Sequence, residues 1–210
     1  MIGISKNERI LFDGDSITDA LRDRKEKYSL AGYSALIAER LNFLYPFLNI
    51  ECYNRGVGGN TSGELLNRLS GELEEIKPTF FSLLIGVNDT WRRFDSGKII
   101  SEKEYAENIE KILCMVERYT QKIIVLEPFL LDVDPEKRLF REDLYPKIFR
   151  LREIARRHRV EFIPLDGIFA EACCRASAKE YSYDGIHPTN AGHALIAEEW
   201  LRRVYAANNF

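Results

Sequence analysis

Short runs of apolar residues alternate along the chain with longer stretches in which apolar residues recur every three or four positions. The runs have the length of buried β-strands, and the stretches have the periodicity of amphipathic helices. Strands are predicted at residues 9–12, 50–54, 79–85, 122–126 and 160–165. Helices are predicted at residues 33–44, 61–76, 102–119, 144–158 and 190–205. This alternation predicts an α/β fold in which helices cover both faces of a parallel sheet, with the very apolar run 79–85 at its centre.

The chain of 210 residues is long enough for one domain with a full core, and no repeat or linker interrupts it. A single domain over residues 1–210 is therefore predicted. Residues 128–142 form a long segment that contains two prolines. We interpret this segment as a loop over the strand ends, and hence as a candidate lid or specificity wall.

The composition excludes several classes of function. The net charge is −3, and basic residues are scattered among acidic ones, so no nucleic-acid partner is expected. Residues 1–9 contain no apolar core of a secretory signal, and no apolar run is long enough to span a membrane, so a cytoplasmic location is expected.

The four cysteines have the spacing of neither a zinc site nor a disulfide framework. Cys114 is expected to be a buried free thiol, because it lies in an apolar helical pattern. A redox role for the neighbours Cys173 and Cys174 is a minor alternative, since adjacent cysteines rarely meet disulfide geometry. No metal and no cofactor are expected.

Four short blocks contain residues suited to acyl transfer. They are GDSIT at 14–18, GVGGNT at 56–61, GVND at 86–89 and DGIHP at 184–188. The first three blocks directly follow the first three predicted strands. Because parallel sheets bind ligands outside the carboxyl ends of their strands, we expect these blocks to converge on one site.

Ser16, His187 and Asp184 are the candidate catalytic residues. A serine hydroxyl needs a base, and His187 can supply one with a pKa near neutral. Asp184 precedes this histidine by three positions and can orient its ring. The alternatives are an N-cap for Ser16 and a surface turn for the other two. Of the two remaining histidines, His158 is expected to be solvated and His193 to be structural.

Gly59 and Asn88 are the candidate oxyanion donors, together with the N–H of Ser16. A glycine lets the backbone approach the substrate, and an asparagine amide offers N–H donors. A tight turn or a phosphate cradle is the alternative at residues 56–59, although the Lys-Ser/Thr tail of a P-loop is missing. A plain turn is the alternative for Asn88 and Asp89.

With these blocks in this order, the chain resembles the SGNH hydrolase superfamily, also called the GDSL esterases. The resemblance implies a flavodoxin-like three-layer α/β/α sandwich with a five-stranded parallel sheet. It also implies that Ser16 is the nucleophile, that Asp184 and His187 complete the triad, and that the oxyanion is bound by the N–H groups of Ser16 and Gly59 and the amide of Asn88.

Residues 85–95 and 184–193 are similar to bacterial intracellular acetylxylan esterases of this superfamily. The narrower resemblance implies removal of acetyl groups from xylo-oligosaccharides. Asp15 and Trp91 are then candidate substrate-binding residues, with ordinary packing as the alternative for Trp91. Some of these enzymes form rings, so a homo-oligomer is one state that the resemblance allows.

Two other functions remain open at this point. A lysophospholipase or thioesterase could use the same residues, because the apolar residues 129–131 could line a long acyl chain. A carbohydrate-binding protein without turnover is the other alternative. It is disfavoured because Ser16, Asn88 and His187 are all present.

Overall fold

A parallel β-sheet forms the centre of the computed structural model, which describes residues 1–26 and 29–206. The strands are β1 Ile2–Ile4, β2 Arg9–Gly14, β3 Glu51–Asn54, β4 Phe80–Leu84, β5 Ile123–Leu126, β6 Glu161–Ile163 and β7 Val204–Ala206. The helices are α1 Ser16–Asp19, α2 Gly32–Leu44, α3 Ser62–Ile76, α4 Val87–Asp95, α5 Glu102–Val116, α6 Phe140–His158, α7 Leu165–Cys173, α8 Ala178–Tyr181 and α9 Asn190–Leu201. Short 3-10 helices cover Pro46–Leu48 and Pro135–Leu139.

The strand order explains where a ligand can bind. Within the described residues the main sheet has five parallel strands in the order β3-β2-β4-β5-β6. The chain moves outward in one direction from β2 to β3 and in the other direction from β4 to β6. The order therefore reverses between β2 and β4, and the crevice at the carboxyl ends of these two strands is the expected binding position.

Alternating side chains of β4 divide the interior into two cores. Phe80 and Leu84 pack in one core, together with apolar residues of α2 and α9. Phe81 and Leu83 pack in the other core, with apolar residues of α3 and α5. Because every residue of β4 is buried, the predicted central strand and the helix layers on both faces are confirmed.

The structure extends or shortens several predicted elements. The last helix ends at Leu201, and the chain then forms β7, which pairs in parallel with β1. Helix α6 begins at Phe140, so the end of segment 128–142 is helical rather than a loop. Helices α4, α7 and α8 were not predicted because each has nine residues or fewer, which is too short for a helical pattern to repeat clearly.

Two expectations about single side chains were wrong. Cys114 is exposed, because the buried stripe of α5 runs through Ile109, Leu113 and Val116 and leaves it on another side of the helix. His158 is not solvated, since only 12% of its side chain is exposed. All four cysteines are free thiols.

None of the helices in residues 1–26 and 29–206 combines the length and the apolarity needed to cross a membrane.

Trp200 anchors α9 on the sheet. The indole is fully buried, packs on Phe12 and Phe80, and donates a 3.1 Å hydrogen bond from Nε1 to Ser82 Oγ. Trp200→Ala should lower the free energy of unfolding by about 3–5 kcal/mol, because it leaves a cavity and a buried hydroxyl without its partner.

Urea unfolding followed by circular dichroism measures this loss. Phe43→Ala is the matched control, because Phe43 is 74% exposed and its loss should change the unfolding free energy by no more than about 0.5 kcal/mol. A Trp200→Ala protein as stable as the control would contradict the anchoring role.

Candidate active site

Three hydrogen bonds join the four sequence blocks at the crevice between β2 and β4. Val57 N donates to Gly14 O at 3.1 Å, which ties the second block to the first. Asn88 Nδ2 donates to Asn60 O at 3.1 Å, which ties the third block to the second. Ser16 Oγ lies 3.1 Å from His187 Nε2, which ties the fourth block to the first. The expected convergence is therefore present.

Ser16, His187 and Asp184 form one hydrogen-bonded line. Beyond the contact between Ser16 and His187, the imidazole Nδ1 lies 3.0 Å from Asp184 Oδ2. Asp184 Oδ1 also accepts the backbone N–H of His187 at 2.8 Å. This second bond fixes the carboxylate, so that its other oxygen faces the ring. The arrangement is able to move a proton from the serine hydroxyl to the imidazole.

The turn that carries this pair is held by residues that the sequence analysis did not identify. Ser182 Oγ donates to His187 O at 2.9 Å and accepts from Gly185 N at 2.9 Å. Leu131 N donates to Gly185 O at 2.8 Å. Gly185 has a φ of +93°, and a Cβ at this position would stand 2.5 Å from Leu131 O, so no other residue fits there.

The charges in the line favour an ionised aspartate and a basic histidine. Partial burial raises the pKa of Asp184, but hydrogen bonds from His187, Lys137 and backbone N–H groups outweigh it and hold the net pKa well below its ordinary value. The hydrogen bond with Asp184 raises the pKa of His187 above its ordinary value, against the opposing effect of burial. Asp184 can therefore stabilise an imidazolium.

Ser16 lies at the start of α1, directly after its N-cap Asp15. The Asp15 side chain is 1% exposed, and its Oδ1 accepts the N–H of Ile17 at 2.9 Å. Burial raises the pKa of Asp15 to about 7. This buried position favours a capping role for Asp15 over the substrate contact predicted from the sequence.

The glycine turn that holds the candidate oxyanion donor Gly59 passes close to Ser16. A Cβ at Gly58 would stand 3.8 Å from Ser16 Cβ, so the glycine turn runs past the serine. Gly59 follows with a φ of +83°, a conformation that favours glycine. Asn88 is 3% exposed, and its amide has a second N–H besides the one given to Asn60 O.

Buried charges hold these loops through contacts that were not predicted from the sequence. Asp89 Oδ2 accepts Ser62 N at 2.9 Å, which joins the third block to the start of α3, and burial raises the pKa of Asp89 to about 6. Arg68 donates to Asn60 Oδ1 and to Asp13 Oδ1, each at 2.8 Å. Charged residues at helical spacing are typical of solvated faces, so these contacts had no distinctive sequence signal.

Trp91 lies against the candidate triad. Its ring centroid is 5.9 Å from that of His187 and 6.0 Å from that of Phe140, and Lys137 Nζ is 4.9 Å from its centroid. Trp91 thus packs against the core, as the alternative of ordinary packing predicts, and it also contacts His187.

A cavity of about 390 Å³ opens beside Ser16 and His187. Its other lining residues are Ala20, Leu21, Gly32, Tyr183, Pro188, Asn190 and His193. His193 Nδ1 accepts the N–H of Tyr33 at 3.2 Å, in keeping with the predicted structural role, but the residue also lines the cavity. Burial lowers the pKa of His193 to about 4, so its ring is neutral at neutral pH.

Within the part of the chain that the structure describes, one group of side chains of the kinds that can bind a metal ion lies together. Ligand atoms of Glu110, Cys114 and His158 lie within 4.8 Å of one another. His158 Nε2 and Nδ1 contact Glu110 and Glu117 at 2.6 and 2.7 Å, so ion pairs between α5 and α6 account for the cluster. Residue spacing did not reveal it because the histidine comes from another helix.

Comparisons with known proteins agree with this geometry. A model of the GDSL-like lipase/acylhydrolase family matches residues 12–195. The chain is 30% identical to an acetylxylan esterase of Geobacillus stearothermophilus, over 96% of this chain and 95% of that one. It is 24% identical to an isoamyl acetate-hydrolyzing esterase of Saccharomyces cerevisiae, over 94% of this chain and 86% of that one.

A crystal structure described as a GDSL-like lipase from Parabacteroides merdae superposes with a TM-score of 0.90 at 30% identity, covering 96% of this chain and 97% of that one. The α/β fold with a parallel sheet is thereby confirmed. With a matching family model over most of its length, the chain belongs to the GDSL-like lipase/acylhydrolase family and is a carboxylic ester hydrolase.

Proposed function

We propose that the enzyme removes small acyl groups, acetyl above all, from a sugar or short xylo-oligosaccharide, with Ser16 as nucleophile. The observation that carries the proposal is the hydrogen-bonded line from Ser16 through His187 to Asp184, with distances of 3.1 and 3.0 Å. The line ends at an open cavity, where an ester can reach the serine.

In the first half of the reaction, Ser16 Oγ attacks the ester carbonyl carbon while His187 Nε2 accepts the hydroxyl proton. The carbonyl electron pair moves to oxygen, and Asp184 stabilises the imidazolium. The N–H groups of Ser16 and Gly59 and the amide of Asn88 bind the oxyanion. Donors of this kind are worth roughly 3 kcal/mol each in the transition state.

The intermediate then collapses, and the C–O bond to the alcohol breaks. His187 gives its proton to the departing alcohol oxygen, which leaves the acyl group on Ser16. In the second half, water attacks the acyl-enzyme and His187 accepts its proton. The acid leaves when Ser16 regains a proton from His187.

The relatives support the acetyl half of the proposal. Their names specify acetate esters in both cases, although one alcohol is a polysaccharide and the other is isoamyl alcohol. Structures of catalytic mutants of the Geobacillus enzyme replace a serine, an aspartate or a histidine, and the last two are three positions apart, as Asp184 and His187 are here.

The cavity supports a hydroxyl-rich alcohol. Tyr183 is 71% exposed and offers a ring face and a hydroxyl. Asn190 and His193 add polar groups to the same lining. Sugars are bound by such combinations of aromatic faces and hydrogen-bonding side chains.

The test is hydrolysis of p-nitrophenyl esters from acetate to decanoate. We expect kcat/KM to fall steeply beyond the shortest acyl groups, and acetylated xylo-oligosaccharides to release acetate. Ser16→Ala should lower kcat at least about 10³-fold, because the nucleophile is lost, while the protein stays folded.

A preference for long chains would replace this proposal with a lysophospholipase or thioesterase. Turnover that persists without the serine would show that Ser16 is not the nucleophile. If the unaltered protein binds oligosaccharide but does not hydrolyse it, the alternative of a carbohydrate-binding protein without turnover would be favoured.

The amide of Asn88 is expected to act in the transition state. Asn88→Ala should lower kcat about 10²- to 10³-fold and leave KM nearly unchanged, because the amide acts on charge that forms in the transition state. Steady-state kinetics with p-nitrophenyl acetate measure both constants.

Asn108→Ala is the matched control. Asn108 Nδ2 donates to Ser62 Oγ at 3.0 Å in the network behind the site, so its loss tests for general loosening without removing the donor. A change in KM alone for Asn88→Ala would mean that this amide binds substrate and does not stabilise the oxyanion.

A further inference from the structure

Lys137 contacts the candidate triad from a distant part of the chain. It lies in the 3-10 helix Pro135–Leu139, within the segment interpreted from the sequence as a wall of the site. Its Nζ donates to Asp184 Oδ2 at 2.8 Å and to Asp184 O at 3.0 Å. One ammonium therefore holds both the carboxylate and the backbone of the residue that orients His187.

The side chain is enclosed, which distinguishes it from an ordinary surface lysine. Only 12% of it is exposed. Its Nζ lies 4.9 Å from the ring centroid of Trp91, and the same ring packs against His187 with 5.9 Å between centroids. A desolvated ammonium needs close partners, and here the Asp184 carboxylate and carbonyl and the Trp91 ring provide them, with Asp134 Oδ2 a further 3.8 Å contact.

We propose that Lys137 is a positioning residue for ester hydrolysis, which fixes Asp184 so that its carboxylate stays aligned with His187 and limits how strongly that carboxylate acts on the ring. The inference rests on the proposed function, because it assigns a role through Asp184 and His187. Lys137 does not line the cavity beside Ser16 and acts through these two residues.

The positive charge of Lys137 changes the pKa of His187 in one direction. Among charged groups, Asp184, Asp15 and Lys137 have the largest effects on the His187 ring. The two carboxylates raise the pKa of His187, and the ammonium lowers it. A general base must be neutral to accept a proton, so a lower pKa widens the pH range in which His187 is active.

A purely structural ion pair would behave differently. It would tie the wall segment to the turn and contribute to stability, but it would not set the pH at which activity appears. The neighbouring Arg138 provides such a pair for comparison. Its guanidinium bonds Asp132 at 2.7 and 3.0 Å, and both side chains are more than half exposed.

The experiment compares Lys137→Met, Lys137→Arg and the control Arg138→Met in pH profiles of kcat/KM for p-nitrophenyl acetate. Lys137→Met should move the acid limb to higher pH by about 0.5–1 unit, because the nearby positive charge is gone. Its plateau kcat should fall about tenfold with KM within about twofold, since alignment is lost but no substrate contact is removed. Lys137→Arg should keep the acid limb of the unaltered enzyme. Arg138→Met should change neither the acid limb nor kcat.

An acid limb that stays in place in Lys137→Met, or moves to lower pH, overturns the inference. Thermal melting by circular dichroism shows which variants are folded at the assay temperature, and Lys137→Gln replaces Lys137→Met if the latter is not. Ser16→Ala distinguishes failure of the positioning role from failure of the proposed function. If it is inactive while Lys137→Met matches the unaltered enzyme, the positioning role fails and the proposed function stands; if it still turns over, the proposed function itself fails.

Discussion

The 3.1 Å contact between Ser16 Oγ and His187 Nε2 joins residues 171 positions apart, and much of the structure serves to hold its two ends. One end follows β2, which pairs on one side with β4 and on the other with β3. The other end precedes α9, which is anchored by Trp200 on Phe12 of β2 and Phe80 of β4. The helix that carries the histidine turn is thus fixed on the strands that carry the serine and the third block. Stability of the core and geometry of the site are therefore coupled through one aromatic cluster.

Between these ends, polar contacts in the interior keep the loops in place. Asp89 accepts both the N–H and the hydroxyl of Ser62, and Arg68 bridges Asp13 and Asn60. Burying carboxylates is unfavourable, and it raises the pKa of Asp89 to about 6. Burial raises the pKa of Asp13 as well, although Arg68 opposes this effect. An apolar core could replace the charges, but it could not fix the direction of backbone N–H groups at loop ends. The unfavourable burial is consistent with a site whose donors must be oriented before substrate arrives.

The electrostatics of the site arise from opposing charges on different elements. Asp184 and Asp15 favour the charged form of His187, and Lys137 opposes them from the wall segment. In this chain an ammonium thus lies behind the candidate aspartate. The contact of Trp91 with both Lys137 and His187 shows that the wall segment and the candidate triad form one packed unit. Changes in the wall can therefore reach the chemistry without touching the substrate.

Local sequence patterns were sufficient to predict the structural features whose physical cause is local. Period and apolarity predicted β4, and the order of strands and helices predicted the parallel sheet, because burial on both faces demands continuous apolar runs. The blocks at residues 14–18, 56–61 and 86–89 were predicted to meet because parallel strands end at the same edge of a sheet. The block at 184–188 was joined to them by the chemistry of its Asp-x-x-His pair and by the family resemblance.

Only the tertiary structure decided the contacts that depend on packing between distant elements. It placed Lys137 on Asp184, Ser182 under the His187 turn and His158 between two glutamates, and it put Cys114 on an exposed face. It also paired β1 with β7 from opposite ends of the described chain. None of these contacts has a periodic signal, since each depends on where a second segment comes to lie. The sequence by itself thus determined the fold class and predicted the set of candidate site residues, and the tertiary structure decided how these residues are oriented and charged, because orientation and pKa depend on neighbours that residue spacing does not specify.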